Sequence, residues 1–556
     1  MNQIIECVPN FSEGRDMQVI KQITDEIEFV EGVTLLDVDA GATTNRTVVT
    51  FVGEPNAVVE AAFRAFVKAR EVIDMRKHHG AHPRIGAVDV CPLIPVSGIT
   101  MEETVKYARN LGRRVGEELG IPVYAYEYAA FSESRRNLAY CRSGEYEGLA
   151  EKIVKSEWKP DFGKAEFNAV SGASVIGARD FLVAINYNLN TTSVRRANAV
   201  AFDVREKGRQ LRGENGGAVI DENGNAMMAP GTLKATKAIG WYIDEYGIAQ
   251  VSMNITNINI TPVHVAFDEV CRAAQERGMR VTGAEIVGLI PKQCLMQAGK
   301  YYLAKQHRSV GVSEKELVKI AIRSMGLDDV RDFIPEEKVI EYVIDKKHTS
   351  RRLIDLSCET FADETSSENP APGGGSVAAY VGVLAASLGE MVANLSAQKK
   401  GWEDRWNEFS EWAEKGQALK TELLALVDED TQAFNRIMDA FALPKKTDGE
   451  KQVRAQRIES ATLYAAEVPL RTMRTAFTTF EILRAMITMG NPNSITDAGV
   501  GALCARTAVL GAHLNVKINL SSLKDETSRL EMLAEAEEIA AQAVATEQEL
   551  LALIKL

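Results

Sequence analysis

The sequence predicts two α/β subdomains, each a mixed sheet with covering helices, followed by an all-α helical domain. Three observations carry this. A chain of 556 residues is too long for one hydrophobic core and divides into units of about 100–200 residues. From residue 2 to about 344, short β-branched runs alternate with amphipathic helical stretches, the pattern of helices laid over a sheet. Beyond that point Ala, Glu, Leu and Lys dominate with a period of about 3.6 and almost no alternation, which is helical throughout. The expected boundaries are 1–180, 181–344, a linker at 345–352 and a helical domain at 353–556.

The elements follow in order. A polar strand-like segment at 2–8 opens the chain, then strands at 33–40 and 47–52, a helix at 56–74, a strand at 88–95, a helix at 101–119 and a strand at 123–126. A Pro, Gly and aromatic stretch at 158–172 interrupts the rhythm, and a strand at 181–188 with a helix at 193–207 starts the second subdomain. Alternation through Gln250 to Ile255, facing a turn at 244–247, predicts a hairpin over 240–261 with one wet face. Helices are expected at 262–275, 291–306 and 314–325. The charged run 346–352 has no apolar periodicity and reads as the linker. The helical domain is expected to comprise 376–397, 405–441, 449–489, 495–514 and 524–554.

Composition narrows the class. A net charge of −13 argues against nucleic acid as a partner, because phosphate binding needs a clustered basic surface. Basic pairs such as Arg76 with Lys77, Arg135 with Arg136 and Arg195 with Arg196 read as solvated faces, or as room for an anionic small molecule. Seven scattered cysteines without a CxxC pair support neither a disulfide framework nor a zinc ribbon, and fit a reducing cytosol. With no basic patch and apolar run at the start, a cytoplasmic protein is expected. The weakly polar run 376–395 contains Glu390 and much Ala and Gly, so it reads as a buried helix and no membrane partner is expected.

Four stretches could carry chemistry. In HHGAHPRIGAVDVCP, His78, His79 and His82 occupy a Gly-broken loop ahead of a strand, and imidazole suits proton shuttling near neutrality; a turn with surface histidines is the plainer alternative. His79, His82 and Asp89 could also offer metal ligands, but Pro83 breaks any helical face and no cysteine or glutamate stands at ligand spacing, so no metal is expected. LLDVDAGATTNRT places Asp37, Asp39, Thr43, Asn45 and Arg46 at a strand end, where a sheet presents ligands or simply makes an Asx turn. PAPGGGSVAAYVG sets three glycines before Ser376, an anion-receiving helix start or a capping turn. LVDEDTQAFNRI puts Asp428, Glu429 and Asp430 in one helical turn, either a solvated cluster or carboxylates close enough to raise one pKa.

These strings, with CVPNFSEG (7–14), DVDAG (37–41), HPRIGAVDVCP (82–92), PVYAYE (122–127), the region 160–179, QVSMN (250–254), APGGGSVAA (371–379) and LVDEDTQAF (426–434), resemble the bifunctional formimidoyltransferase-cyclodeaminase family nearly end to end. The resemblance implies two α/β subdomains with folate bound between them and an all-helical cyclodeaminase half. It matches His82 to the family's catalytic histidine and Asp430 to its cyclodeaminase aspartate. It matches Gly163, Lys164, Ala165, Glu166, Phe167, Asn168, Ala169, Val170, Ser171 and Gly172 to the stretch lining the folate pocket, although Lys164, Ala165 and Glu166 depart from the family's pattern. Asp39 and Arg46 are added on physical grounds as substrate contacts. The implied activity moves a formimino group from formiminoglutamate to N5 of tetrahydrofolate, then closes the ring to methenyltetrahydrofolate with loss of ammonia. Tetrahydrofolate with a glutamate tail is the implied co-substrate, without a metal. Small-residue positions Ala378, Gly382 and Ala386 suit close packing with another subunit or, equally well, within the same chain, and a homo-oligomer is expected. The alternative is a single-activity transferase whose helical domain serves only oligomerisation.

Overall fold

The computed structural model describes residues 3–41, 45–80, 83–213, 217–221, 224–347, 352–369 and 371–555. The first strands are β1 (Ile4–Cys7), β2 (Asn10–Phe11), β3 (Val33–Gly41), β4 (Arg46–Gly53), β5 (Val88–Ser97), β6 (Val123–Glu127) and β7 (Ser174–Ala178). β1 and β2 lie end to end between β4 and β5, β3 pairs with the outer side of β4, and these pairings are antiparallel. β7 and then β6 join β5 in parallel, which makes the sheet mixed as expected. Ile20, Ile23 and Ile27 of helix Met17–Glu28 share one core with Val58, Ala62 and Phe66 of helix Pro55–Val72. Leu111 and Val115 of helix Met101–Glu118 close it. Tyr124, Tyr126, Val90 and Val175 form a second small core with Leu149 and Trp158.

The second sheet has β8 (Val183–Leu189), the short antiparallel pair β9 (Arg209–Gln210) and β10 (Met228–Ala229) apart from it, then β11 (Thr236–Ile243), β12 (Ile248–Ile255) and β13 (Val281–Val287). The order is β11-β12-β8-β13, antiparallel throughout, so the mixed character resides in the first sheet. With helices Val194–Val204 and Val263–Gln275 the chain runs β-α-β-β-α-β, the split βαβ arrangement. β1/β2, β3, β4 and β5 with their two helices repeat that succession and order. The predicted hairpin is present, spanning 236–255, and Gln250, expected on a wet face, is buried: it accepts from Trp241 Nε1 at 3.1 Å and donates to Asn188 Oδ1 at 2.8 Å. Both amides are buried, so their pairing meets the cost of burial.

Contacts group Met1–Leu295 with Met325–His348, and Met296–Ser324 with Thr349–Leu556. The second unit therefore takes in 296–324, which the sequence boundary places in the second α/β subdomain. The physical reason is local docking: the Asn394 amide donates to Gly311 O at 2.8 Å, Val310 N donates to Ser410 Oγ at 3.0 Å, and His307 stacks on Trp406. The expected linker starts inside helix Ile340–Lys347, and 348–351 lie outside the described residues.

The long helices of the helical unit are Gly374–Ala397, Trp406–Ala442, Asp448–Met489, Ile495–Leu520 and Glu526–Leu553, preceded by the short helix Cys358–Ser366. Gly374–Ala397 is long and apolar enough to cross a membrane, yet its Ala379, Ala385, Ala386 and Ala393 are buried in the bundle core. Pro469 sits inside Asp448–Met489, where it cannot donate to the carbonyl four residues earlier. That carbonyl, Ala465 O, accepts instead from Asn519 Nδ2 at 2.6 Å, which explains how the helix continues.

Glu6 of β1 is buried, and burial pushes its carboxyl up to about 7, with Arg179 opposing. The folded state binds this proton more tightly than the unfolded chain, so its contribution is intact below about 4.5 and is lost as the pH rises through about 7. Glu6→Gln is expected to stabilise the protein by about 1–3 kcal/mol at pH 8 and by far less at pH 5, read by urea unfolding at both.

Candidate active sites

The chain leading into β5 is fastened at many points. Arg84 is almost fully buried and donates to both carboxylate oxygens of Glu147, at 2.7 and 2.8 Å, while Glu145 lies 3.4 Å away. Its Nε points at His78 Nδ1, 3.2 Å away, and His78 Nε2 lies 2.8 Å from Asn45 O. Arginine only donates, so Nδ1 accepts and the proton of His78 sits on Nε2. Burial, with the Arg84 charge, lowers the His78 pKa, which keeps the ring neutral. Both ring nitrogens are thus committed to the fold. His79 is exposed, and its carbonyl accepts from Asn45 Nδ2 at 3.0 Å. His82 lies outside the described residues, as does Thr43.

Asn45 has φ +49°, in the left-handed region, and its Oδ1 also accepts from Gly14 N at 3.0 Å. It borders a depression of about 660 Å³ lined by Glu13, Arg15, Asp16, Met17 and Gln18. Asp89, weighed as a metal ligand, has both oxygens engaged: Oδ1 accepts from Ile85 N at 3.0 Å and Oδ2 pairs with Arg142. Arg46 belongs to this charge cluster; burial lowers its pKa, Asp89 and Asp39 raise it, and Arg142 lowers it. The structure therefore brings Asp39 and Arg46 together, at the adjoining ends of β3 and β4. Among the described residues no group of three acidic, His or Cys side chains could hold a metal ion.

The stretch 163–172 divides in two. Gly163, Lys164, Ala165, Glu166 and Phe167 are exposed. The later residues are stitched to the histidine segment: Val170 O accepts from Met75 N at 2.9 Å and Ser171 O from Ala87 N at 2.8 Å. Asn168 Oδ1 folds the turn by accepting from Val170 N and Ser171 N. Gly172 has φ +68°, and a Cβ there would lie 2.2 Å from Ile85 O, so only glycine permits this approach. The Ser171 hydroxyl is buried without a hydrogen-bond partner among the described residues. Tyr146 bridges the two segments, its N–H donating to Arg84 O at 2.8 Å and its hydroxyl to Ala169 O at 2.5 Å. Tyr146, Glu147 and Arg142 escaped the sequence reading; Arg84 and Asp89 stand in the HPRIGAVDVCP string, but their partners lie more than 50 residues away.

In the helical unit the three acids of Asp428–Asp430 part company, as successive helical positions must. Asp428 Oδ1 accepts from Leu353 N at 2.6 Å, and Glu429 Oε1 accepts from the Tyr464 hydroxyl at 2.6 Å and Arg471 at 2.7 Å. Asp430 alone meets the glycine string. Its Oδ2 accepts from Ser376 Oγ at 3.0 Å, and a Cβ on Gly375 would fall 2.1 Å from its Oδ1. The carboxylate thus sits on the N-terminal turn of Gly374–Ala397, where backbone N–H groups favour negative charge. Burial raises the Asp430 pKa above the ordinary carboxylate value, and the Ser376 hydroxyl and amide oppose it.

Three family models match in order along the chain: the N-terminal subdomain of the formiminotransferase domain at 4–179, the formiminotransferase domain at 184–345, and formiminotransferase-cyclodeaminase at 357–538. The formimidoyltransferase-cyclodeaminase of Mus musculus is 40% identical over 526 residues, 95% of this chain and 94% of its own. The chain belongs to the formimidoyltransferase-cyclodeaminase family. Each half also has a free-standing relative outside the fused members of that family. A glutamate formimidoyltransferase of Thermoplasma acidophilum is 41% identical over 321 residues, 57% of this chain and 98% of its own. A methenyltetrahydrofolate cyclohydrolase of Methylorubrum extorquens is 36% identical over 197 residues, 35% of this chain and 95% of its own.

Proposed function

We propose that the chain transfers the formimino group of N-formimino-L-glutamate to N5 of tetrahydrofolate and then cyclises 5-formiminotetrahydrofolate to 5,10-methenyltetrahydrofolate with release of ammonia. The observation that carries this is family membership across both halves, in one order and over almost the whole chain.

In the first step N5 attacks the amidine carbon and forms a tetrahedral centre bearing three nitrogens. Collapse forward expels glutamate once a proton has moved from the attacking nitrogen to the departing one, and a residue with a pKa near neutrality does both transfers. We assign this to His82. The commitment of both His78 nitrogens supports the choice by removing one rival. Arg46 and Asp39 supply opposite charges for an amino-acid substrate, and the 163–172 stretch is assigned to folate. An amidine carbon is already electrophilic, so the reading requires no metal.

In the second step N10 attacks the carbon of the protonated formimino group, N5–CH=NH2+, and loses its proton, and the resulting amine leaves as ammonia once that proton is returned to it. A carboxylate that accepts the first proton and returns it suffices, and a pKa raised by burial brings that exchange closer to neutral pH. We assign this role to Asp430. Gly375→Ala would push a methyl group into that carboxylate. We expect it to slow ring closure on the order of 10²-fold while the transfer step stays intact, measured separately with preformed 5-formiminotetrahydrofolate and with formiminoglutamate.

We further propose a cytoplasmic homo-oligomer acting on folates with glutamate tails. Seven cysteines without a disulfide support the reducing compartment. Exposed Leu384, Met391 and Leu395 on helix Gly374–Ala397 support an apolar surface for another subunit. The reading as a whole is tested by stoichiometry. Wild-type protein given formiminoglutamate and tetrahydrofolate is expected to yield glutamate, ammonia and methenyltetrahydrofolate in equal amounts, and glutamate without ammonia would reduce it to the first activity.

A further inference from the structure

The short turn Arg142–Glu147 holds more of the transferase half together than its length suggests. Gly144 at φ +80° takes the left-handed region without cost, but Glu145 at φ +52° is strained there, and such strain persists only where the surroundings fix it. The fixing contacts are those of Arg142 with Asp89, Glu147 with Arg84, and Tyr146 with both Arg84 O and Ala169 O. The Tyr146 ring also lies 5.7 Å from that of Phe167. We infer that Tyr146 and Glu147 form a clip that, together with the backbone bonds from Met75 and Ala87 to Val170 and Ser171, fixes how the histidine segment, residues 78–80 and 83–87, sits against the 163–172 stretch, which makes them positioning residues of the formimino transfer. The inference rests on the reading that both segments serve that reaction.

The clip works from outside. The Glu147 side chain is 62% exposed, yet the arginine it pairs with, Arg84, is buried and carries the hydrogen bonds to His78 Nδ1 and His78 O. A bidentate arginine–carboxylate pair sets direction as well as distance. Removing the charge leaves Arg84 buried with fewer acceptors, and it must then turn toward Glu145 or toward His78. Tyr146 acts at the other end, where its hydroxyl donates to the Ala169 carbonyl. Loosening either end changes the separation of two segments that must hold two substrates in register. A displacement near 1 Å in such a site costs up to about 100-fold in rate.

The test uses the full chain carrying Glu147→Gln, Glu147→Asp or Tyr146→Phe. Glu147→Gln and Tyr146→Phe are expected to lower kcat for transfer between about 10- and 100-fold, with KM for tetrahydrofolate within about twofold, and Glu147→Asp to recover most of the loss. Ring closure from preformed 5-formiminotetrahydrofolate stays at the wild-type rate in all three. Amide hydrogen exchange over 75–90 and 163–173 is expected to quicken in both segments of each weakened variant. Wild-type kcat with unchanged exchange overturns the clip. So does a slower transfer accompanied by an equal loss of ring closure and of thermal midpoint, which marks general unfolding. If wild-type protein shows no transfer at all, the functional reading falls, and the exchange comparison alone decides the clip.

Discussion

Asp430→Asn stops turnover at 5-formiminotetrahydrofolate. The expected loss of ring closure is between about 10² and 10⁴-fold, the usual range for removing a positioned acid–base group, with formimino transfer unchanged. The substitution is nearly isosteric, so the contact with Gly375 and the approach of Ser376 survive while proton exchange is lost. The sign of the pH dependence follows from the cause of the shift. Burial raises the Asp430 pKa, so the ionised base is lost as pH falls through a value higher than that of an exposed aspartate. The acid limb of ring closure is therefore expected above the ordinary carboxylate range, and a limb at or below it would remove Asp430 from the base role. Absorbance of methenyltetrahydrofolate with ammonia assayed in parallel reads both.

His82→Asn produces the converse. Formimino transfer is expected to fall between about 10² and 10⁴-fold, and ring closure of supplied 5-formiminotetrahydrofolate to proceed at the wild-type rate. The neighbouring histidines provide an internal contrast. His78 is buried, neutral and hydrogen-bonded through both nitrogens, so its replacement is expected to reduce stability along with transfer. Only a proton-transfer residue should lose rate without losing stability. A transfer step indifferent to His82→Asn would assign the proton transfers elsewhere in the crevice.

The sequence patterns gave the helical half almost to its ends, because a period of about 3.6 survives in Ala-rich helices even where Pro469 intervenes. Helix Cys358–Ser366 was not expected, and Ile495–Leu520 runs past the expected 514 because Val516 and Leu520 remain on the buried face despite Lys517 and Asn519 between them. β7 was not legible: Ser174–Ala178 mixes Ser, Gly and Ala into a strand buried at every position, and no alternation marks such a strand. The candidate residues were legible where each lies in a local string, whereas the contact of Ser376 with Asp430, 54 residues apart, was not. Asp430, Ser376 and the 163–172 stretch lie in recognisable strings, and the divergence of Asp428, Glu429 and Asp430 follows from helical geometry. The clip was not legible, since Arg84 meets Glu147 across 63 residues and nothing in either neighbourhood announces the other. The docking of 296–324 into the helical unit was hidden for the same reason: Gly311 and Asn394 acquire their meaning only in contact.

The central claim is two sites in one chain acting in series, and a crossover experiment tests it most directly. His82→Asn and Asp430→Asn proteins are each given formiminoglutamate with tetrahydrofolate, and separately preformed 5-formiminotetrahydrofolate, while methenyltetrahydrofolate is followed by absorbance. The account predicts that His82→Asn is inactive with the first mixture and active with the second, whereas Asp430→Asn releases glutamate from the first and makes methenyltetrahydrofolate from neither. Equal losses on both substrates in either variant would contradict it.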